Sequence, residues 1–311
     1  MTPGSGSLTE PFHALSEVRV PGGGLPVARA GPPPHEADAV VLAVHGITSS
    51  HMAWRTVARA LAGRPGVCLL APDLRGRGHS AALPGPYGMT THVTDLLAVL
   101  DDAGVERVVL AGHSMGAYVV ARLAAQHPER AAAVVLLDGG LNIPMPPGRD
   151  PTELHDVVVE QSISRLRMTF DSIDDYVDLW RQHPALLHEW NDDVEEYTRY
   201  DVAGEPGAMR CVVSEAAVEA DCTDLIFDET TRTAVDRVRA PLYLVRAQRG
   251  LFDDDPMLPE PVLAPFLAAH PDAHVELIAD TNHYTMVFGG GPGPHRIAAV
   301  VEAAIRRTTT V

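Results

Sequence analysis

The chain has 311 residues, enough for one large α/β domain carrying an inserted subdomain or for two ordinary domains. A hydrophobic fraction of 46% with 21% charged residues is that of a globular protein and excludes disorder over most of the length. The 24 basic residues, all arginine, stand against 41 acidic ones, and the resulting net charge of −17 disfavours nucleic acid and anionic membranes as partners.

Residues 1–14, rich in Gly, Ser, Pro and Thr, read as a mobile tail. This start lacks a basic head and a continuous apolar run, and no later segment offers the roughly 18 uninterrupted apolar residues of a membrane span. The expectation is a cytoplasmic protein without membrane contact. SEVRV and LPVARA then flank PGGG, the pattern of a β-hairpin. The run AVVLAVHG (39–46) precedes a helix at about 51–62, and VCLLAPDL (67–74) precedes a helix at about 90–103. RVVLAGHS (107–114) leads into a helix ending near 126, and AAVVLLDGG (132–140) follows. Short Val/Leu-rich runs alternating with helices predict a mostly parallel, doubly wound sheet covered on both faces, so residues 15–140 form the first part of an α/β core.

Across 141–237 the strand signal disappears and acidic, aromatic, helix-like stretches take over. The pattern resumes in 238–311 with APLYLVRA (240–247), a helix near 259–269, AHVELIAD (273–280) and a final helix near 294–307. A helical insertion inside a continuous sheet predicts a cap over the sheet's C-terminal edge, where open α/β sheets bind ligands. Cys68, Cys211 and Cys222 have no CxxC pair and no histidine at metal-binding spacing, so buried free thiols are expected and no metal site.

Gly112-His113-Ser114-Met115-Gly116 lies directly between an apolar run and the helix-like AYVVARLAAQ, the setting of a nucleophile elbow. The flanking glycines permit a tight, strained turn that lifts the serine hydroxyl clear of the sheet, and the following helix aims its N-terminal amides at the same place. Three more motifs follow the same order: His45-Gly46-Ile47 after an early strand, Asp73-Leu74-Arg75-Gly76-Arg77-Gly78-His79-Ser80 after the next, and Asn282-His283-Tyr284 after the last. On these motifs the chain resembles the α/β-hydrolase superfamily over nearly all of its length after the tail. The resemblance implies Ser114 as nucleophile, His283 as base, no cofactor, and an oxyanion hole built from the amides of Met115 and of Ile47 at the Gly46 bend. It makes Asp73, Arg75 and His79 members of a bracing loop.

Many similar enzymes carry the triad acid just after the penultimate strand, and Gly250 stands at that position here. Asp253, Asp254 and Asp255 come a few residues later, and a loop that folds back would bring one to the site. The other place the fold offers is the end of the strand after the elbow, where Asp138 stands 24 residues past Ser114. An Asp closing a buried apolar strand is costly without a partner, and the triad histidine is such a partner. Asp138 is therefore the expected acid, with Asp253–Asp255 as the alternative. Lactonases of the zearalenone-hydrolase type resemble the chain in this relocated acid and in their helical cap. Serine at the elbow, where an Asp would mark haloalkane dehalogenases and epoxide hydrolases, implies acyl chemistry.

Trp180, Trp190, Tyr176, Tyr197, Met145 and Met168 are expected mainly to pack the cap onto the core. Trp190, Met145 and His51 are the first choices for contacts to a medium-sized apolar substrate. The reading is a serine hydrolase that cleaves a carboxylic ester or lactone through an acyl-enzyme, with a small molecule as partner. Homo-oligomers are compatible with the resemblance, although no segment specifies an interface. Two alternatives stay open: a carbon–carbon bond hydrolase, for which no cap arginine stands out as a carboxylate partner, and a ligand receptor on a silenced hydrolase fold.

Overall fold

The structure is a computed structural model and describes residues 10–142, 148 and 150–309. Strand β1 (Ala14–Val20) pairs antiparallel with β2 (Gly23–Ala30), the two joined by a turn at Pro21 and Gly22. Then come β3 (Ala39–Val44), α1 (Arg55–Leu61), β4 (Val67–Pro72), α2 (Met89–Asp102), β5 (Val108–His113), α3 (Met115–Gln126) and β6 (Ala131–Leu137). The inserted segment holds α4 (Pro151–Ile163), α5 (Ile173–Arg181), α6 (Asp192–Tyr200), the two-residue strands β7 (Val202–Ala203) and β8 (Arg210–Cys211), α7 (Glu215–Phe227) and α8 (Glu229–Arg232). The core closes with β9 (Leu242–Arg249), α9 (Glu260–Ala269), β10 (His274–Asn282), α10 (Thr285–Phe288) and α11 (Gly293–Thr309).

The main sheet has eight strands in the order β1-β2-β4-β3-β5-β6-β9-β10, antiparallel at β1-β2-β4 and parallel from β4 onward. Every residue of β5 and β6 is buried, as strands covered on both faces require. Their side chains alternate between two clusters: Val109, Ala111, Val135 and Leu137 join α1 and α11, whereas Leu110, Val134 and Leu136 join α2, α3 and α9. Because β5, β6 and β9 are parallel neighbours in register, their C-terminal ends form one rim, with His113 beside Leu137 and Leu137 beside Val245.

The cap helices start where side chains can accept the first free amides. Asp150, Ser172, Asn191, Ser214 and Asp228 each accept a backbone N–H of the turn that follows. Buried charge ties the cap to the core: Asp221 of α7 takes Arg77 at 2.5 Å and His92 at 3.0 Å, and Arg55 meets Asp193 at 3.0 Å. The hydroxyl of Tyr200 donates to Asp73 at 2.5 Å.

Two expectations need correction. The insertion is not purely helical: β7 and β8 pair as an antiparallel ribbon, extended by a bridge between Phe170 and Met209, and strands of two residues are too short to show alternation in sequence. The tail expected through residue 14 reaches too far, because Pro11 and Phe12 are buried and the Phe12 ring meets His51 edge-on at 5.2 Å. Cys68, Cys211 and Cys222 are buried and free. Among the described residues no helix is long and apolar enough to cross a membrane.

Arg75 and Asp95 form a two-pronged ion pair at 3.0 and 2.9 Å, each side chain 1% exposed. Arg75→Met strands a buried carboxylate, so urea titration should show a loss of about 3–5 kcal/mol in unfolding free energy. Adding Asp95→Leu to the same chain should recover much of that loss; no loss in the single variant would contradict this account of the pair.

Candidate active site

The turn from β5 into α3 is built around two close approaches. A Cβ on Gly112 would lie 2.2 Å from the carbonyl oxygen of Gly116, and one on Gly116 would lie 2.2 Å from that of Val44. Only glycine lets the turn close this tightly, and the residue at its tip, Ser114, is held at φ 56° and ψ −122°. Such a backbone is costly for a residue with a side chain and persists where the surroundings over-determine it. Here the amide of Ser114 donates to Leu137 at 2.9 Å, locking the elbow to the end of β6.

The same register puts Asp138 next to the elbow. Its backbone also has positive φ, 49°, and its amide donates to Val245 at 2.8 Å. The side chain is 0% exposed; Oδ1 accepts the amide of Ala247 at 3.2 Å, and Oδ2 lies 2.7 Å from Nδ1 of His283. A buried ionised carboxylate requires that the facing nitrogen donate, which leaves Nε2 as the ring's acceptor. His283 is held from behind: its carbonyl accepts Nε2–H of His113 at 2.9 Å, its amide reaches Gly250 at 3.4 Å, and its ring lies on that of His113 at 4.5 Å. Asn282 shapes the loop by accepting the amides of Tyr284 and Thr285 at 3.1 and 3.0 Å. Among the described residues the hydroxyl of Ser114 has no hydrogen-bond partner. Catalytic hydrogen bonds are commonly long without substrate and tighten when it binds.

Among the described residues neither Asp253 nor Asp254 hydrogen-bonds to His283. Asp253 accepts from Arg249 at 2.6 Å and Asn282 at 3.0 Å, and Asp254 accepts the amide of Phe252 at 3.3 Å. Gly250 sits beside the amide of His283, but a Cβ there would meet the carbonyl of Asp255 at 2.3 Å and Oδ1 of Asp254 at 2.5 Å. The loop is folded over the place where a carboxylate would stand.

Met115 opens α3, so no carbonyl of its own helix accepts its amide hydrogen, and it lines the cavity next to Ser114 together with Ile47. Gly46 packs against Ser114, its would-be Cβ 3.2 Å from that of the serine. The loop is fixed from below: Arg77 donates to the Ile47 carbonyl at 2.8 Å, and His45 bonds the Gly46 carbonyl through Nδ1 at 2.8 Å while Nε2 accepts the amide of Leu74 at 3.0 Å. A proton on that Nε2 would oppose an N–H, and burial lowers the His45 pKa to about 4. Burial and the neighbouring His283 likewise drive His113 well below the ordinary histidine value. Asp73 of the bracing loop is pushed up by burial, yet His51 and the hydrogen bonds around it hold it well below the usual carboxylate range.

Two adjoining cavities of about 440 and 620 Å³, here called lobes, share Ile47, Val158, Ser162, Leu251 and Met257 as common walls under the cap. The first lobe contains Ser114 and Asp138 and is walled largely by Leu154, Leu225, Ile226 and Leu258. The second, walled by Trp180, His183, Phe252 and Tyr284, also holds the half-exposed Met168. Two of the expected pocket contacts are misplaced. His51 borders neither lobe; its amide and its Nδ1 both engage Asp73 at 2.8 Å beneath Tyr200. Trp190 also borders neither; it precedes α6, half-buried and packed against the apolar cluster, with the Arg181 guanidinium 5.3 Å over its ring. Met145 falls outside the described residues. The real walls were missed because helical spacing shows that a face is apolar, not whether it faces the core or a cavity. No cap arginine stands out for the pocket from sequence, yet Arg232 borders the first lobe and Arg165 the second.

The family model described as alpha/beta hydrolase fold matches residues 39–289. The chain belongs to that family. Lipase LipV of Mycobacterium tuberculosis is 40% identical over 114 residues, 37% of this chain and 41% of that protein. Epoxide hydrolase B of the same organism is 29% identical over 236 residues, 71% of this chain and 61% of that protein. The matches thus span about two fifths and three fifths of those relatives. The structure of E-2-(acetamidomethylene)succinate hydrolase superposes with a TM-score of 0.74 at 20% identity, over 94% of this chain and 99% of that one. A thermophilic esterase from Thermogutta terrifontis gives 0.64 at 19%, over 95% and 98%. At such identity the likeness shows the fold alone.

The neutral form of His45 carries a pH signature. Its pKa is lower in the folded chain than in the unfolded one, so the unfolded chain binds more protons between about pH 6.5 and 4 and stability falls as pH falls through that window. From pH 7 to 5 the contribution is about 2 kcal/mol. Denaturant titrations should show His45→Gln losing less stability over that interval than the wild type; equal losses would contradict the neutral buried assignment.

Proposed function

We propose that the chain is a serine hydrolase of carboxylic esters or lactones, with Ser114 as nucleophile, His283 as base, Asp138 as acid and the amides of Met115 and Ile47 as oxyanion hole. The observation that carries the reading is the 2.7 Å bond between Asp138 and His283 at the rim where the strained Ser114 elbow opens into an apolar cavity. Asp138 presets the imidazole so that Nε2 takes the serine proton as Oγ attacks the acyl carbon. Negative charge then gathers on the former carbonyl oxygen, where losing one preorganised amide costs about 3–4 kcal/mol of transition-state stabilisation. The imidazolium next protonates the leaving alcohol, and water, activated by the same ring, releases the acid. A serine at the elbow forms an acyl-enzyme, and the cap walls shelter it from stray water. Lobes of this volume suit a medium-sized substrate, not a polymer. The lactone branch of the proposal rests on the place of Asp138, which resembles that of the zearalenone-hydrolase type.

Stopped-flow hydrolysis of p-nitrophenyl esters should show a burst of p-nitrophenol that Ser114→Ala abolishes. Asp138→Asn should lower kcat by about four orders of magnitude, whereas Asp253→Asn should stay within a few-fold of wild type. Unaltered turnover in Ser114→Ala, or the reverse ranking of the two Asp variants, would refute the assignment.

A further inference from the structure

We propose that Arg232 makes the Ser114 lobe selective for acyl substrates that carry a carboxylate, such as the half-esters of dicarboxylic acids. The inference rests on the serine-hydrolase reading and adds what the scissile group must be attached to.

Arg232 ends α8, a single turn opened by Asp228. The carboxylate of Asp228 is already engaged, accepting the amide of Thr230 at 2.9 Å, the hydroxyl of Thr231 at 2.9 Å and the guanidinium of Arg122. Arg232 instead borders the lobe that contains Ser114. Among the described residues it forms no ion pair; its side-chain bond is to the Asn142 carbonyl oxygen at 3.3 Å, long for a charged donor. The residues outside the description (1–9, 143–147, 149, 310 and 311) include no Asp or Glu, so no acidic side chain is left there to neutralise it.

The second lobe supplies the contrast. Arg165 borders it, but its guanidinium is matched by Asp201 at 2.7 Å and also touches Tyr176 and Cys211. Of these two lobe arginines, one is spent on the fold and the other lines the cavity that holds Ser114 without an ion-pair partner among the described residues. Arg232 is close enough to act on the same lobe: the half-buried hydroxyl of Tyr118, which donates to Leu141 at 2.9 Å from the helix that begins after Ser114, is pushed up by burial, pulled back by Arg232 and raised by Asp138.

A neutral acyl chain in this lobe leaves the charge of the half-buried Arg232 without an anion beside leucine and isoleucine walls, which is unfavourable. A carboxylate matches the planar fork of donors, and the low dielectric of the walls strengthens the pair. Discrimination therefore comes from both sides, a gain for the anion and an unpaired cation for its neutral analogue.

The test compares mono-p-nitrophenyl glutarate with p-nitrophenyl pentanoate, which have similar length and differ in the terminal carboxylate. Wild type should show the higher kcat/KM for the glutarate half-ester. In Arg232→Met the glutarate-to-pentanoate ratio should fall about 10- to 100-fold, mainly through KM, and Arg232→Lys should restore part of it. Monomethyl glutarate should also bind Ser114→Ala by calorimetry, and binding should be lost when Arg232→Met is added, a readout that needs no catalysis. No wild-type preference for the half-ester, or a ratio unmoved in Arg232→Met and Arg232→Lys, overturns the inference while the hydrolase reading stands. Binding through Arg232 without hydrolysis of either ester overturns the hydrolase reading and leaves the anion site. If Arg232→Met does not fold, the wild-type ratio and Arg232→Lys decide.

Discussion

A carboxylate with no solvent exposure, closing a strand of leucine and valine, is tolerable only with a partner, and Asp138 finds it in His283, 145 residues away along the chain. That one bond obliges β5, β6, β9 and β10 to end at a common rim. The register of β6 against β5 and β9 meets the demand: the amide of Ser114 is tied to Leu137 and that of Asp138 to Val245. Two residues with positive φ, Ser114 and Asp138, therefore stand side by side at the end of neighbouring strands. Their backbone strain is held by the buried sheet below them, which is why a reactive geometry coexists with an ordinary core.

The parts of this arrangement that depend on local sequence were legible before any coordinates. Continuous apolar runs located the parallel strands because both faces of each are covered, and Gly112 and Gly116 announced a turn in which no Cβ fits. Asp138 was legible by a thermodynamic argument, since an acid at the end of a buried strand needs a counterpart, and by the gap at Gly250. The orientation of cap side chains was not legible. Trp190 and His51 are large, but one packs against the apolar cluster under Arg181 and the other is consumed by Asp73. Phe12 was hidden because a single aromatic between a proline and a histidine carries no period. Arg232 was hidden for another reason: what sets it apart is the ion pair it lacks, and unmatched charge is a property of the packed structure.

Cap and core share one apolar cluster, with Tyr197 stacked on Phe288 at 4.8 Å and Trp180 edge-on to Tyr284 at 5.9 Å, and buried polar contacts add to it: Asp221 with Arg77 and His92, Asp193 with Arg55, Asp73 with Tyr200. Charged clamps of this kind specify one docking geometry, since a misplaced cap would leave several ions unpaired in a dry interface. They also reach the chemistry. Arg77, which holds Asp221 of the cap, donates to the carbonyl of Ile47 in the loop proposed to stabilise the oxyanion. The seat of the cap and the shape of that loop are thus coupled through one guanidinium. The net charge of −17 gives Arg232 its context, because the surface field repels anions and any selectivity for them has to come from a local, sheltered cation.

The most direct test of the central claim, that residues 114, 138 and 283 act as one unit, is labelling with a fluorophosphonate followed by peptide mass mapping. The account predicts a single adduct on the peptide containing Ser114, formed rapidly in the wild type and lost or greatly slowed in His283→Ala. An adduct on a different residue, or labelling of Ser114 at an undiminished rate in His283→Ala, would contradict it.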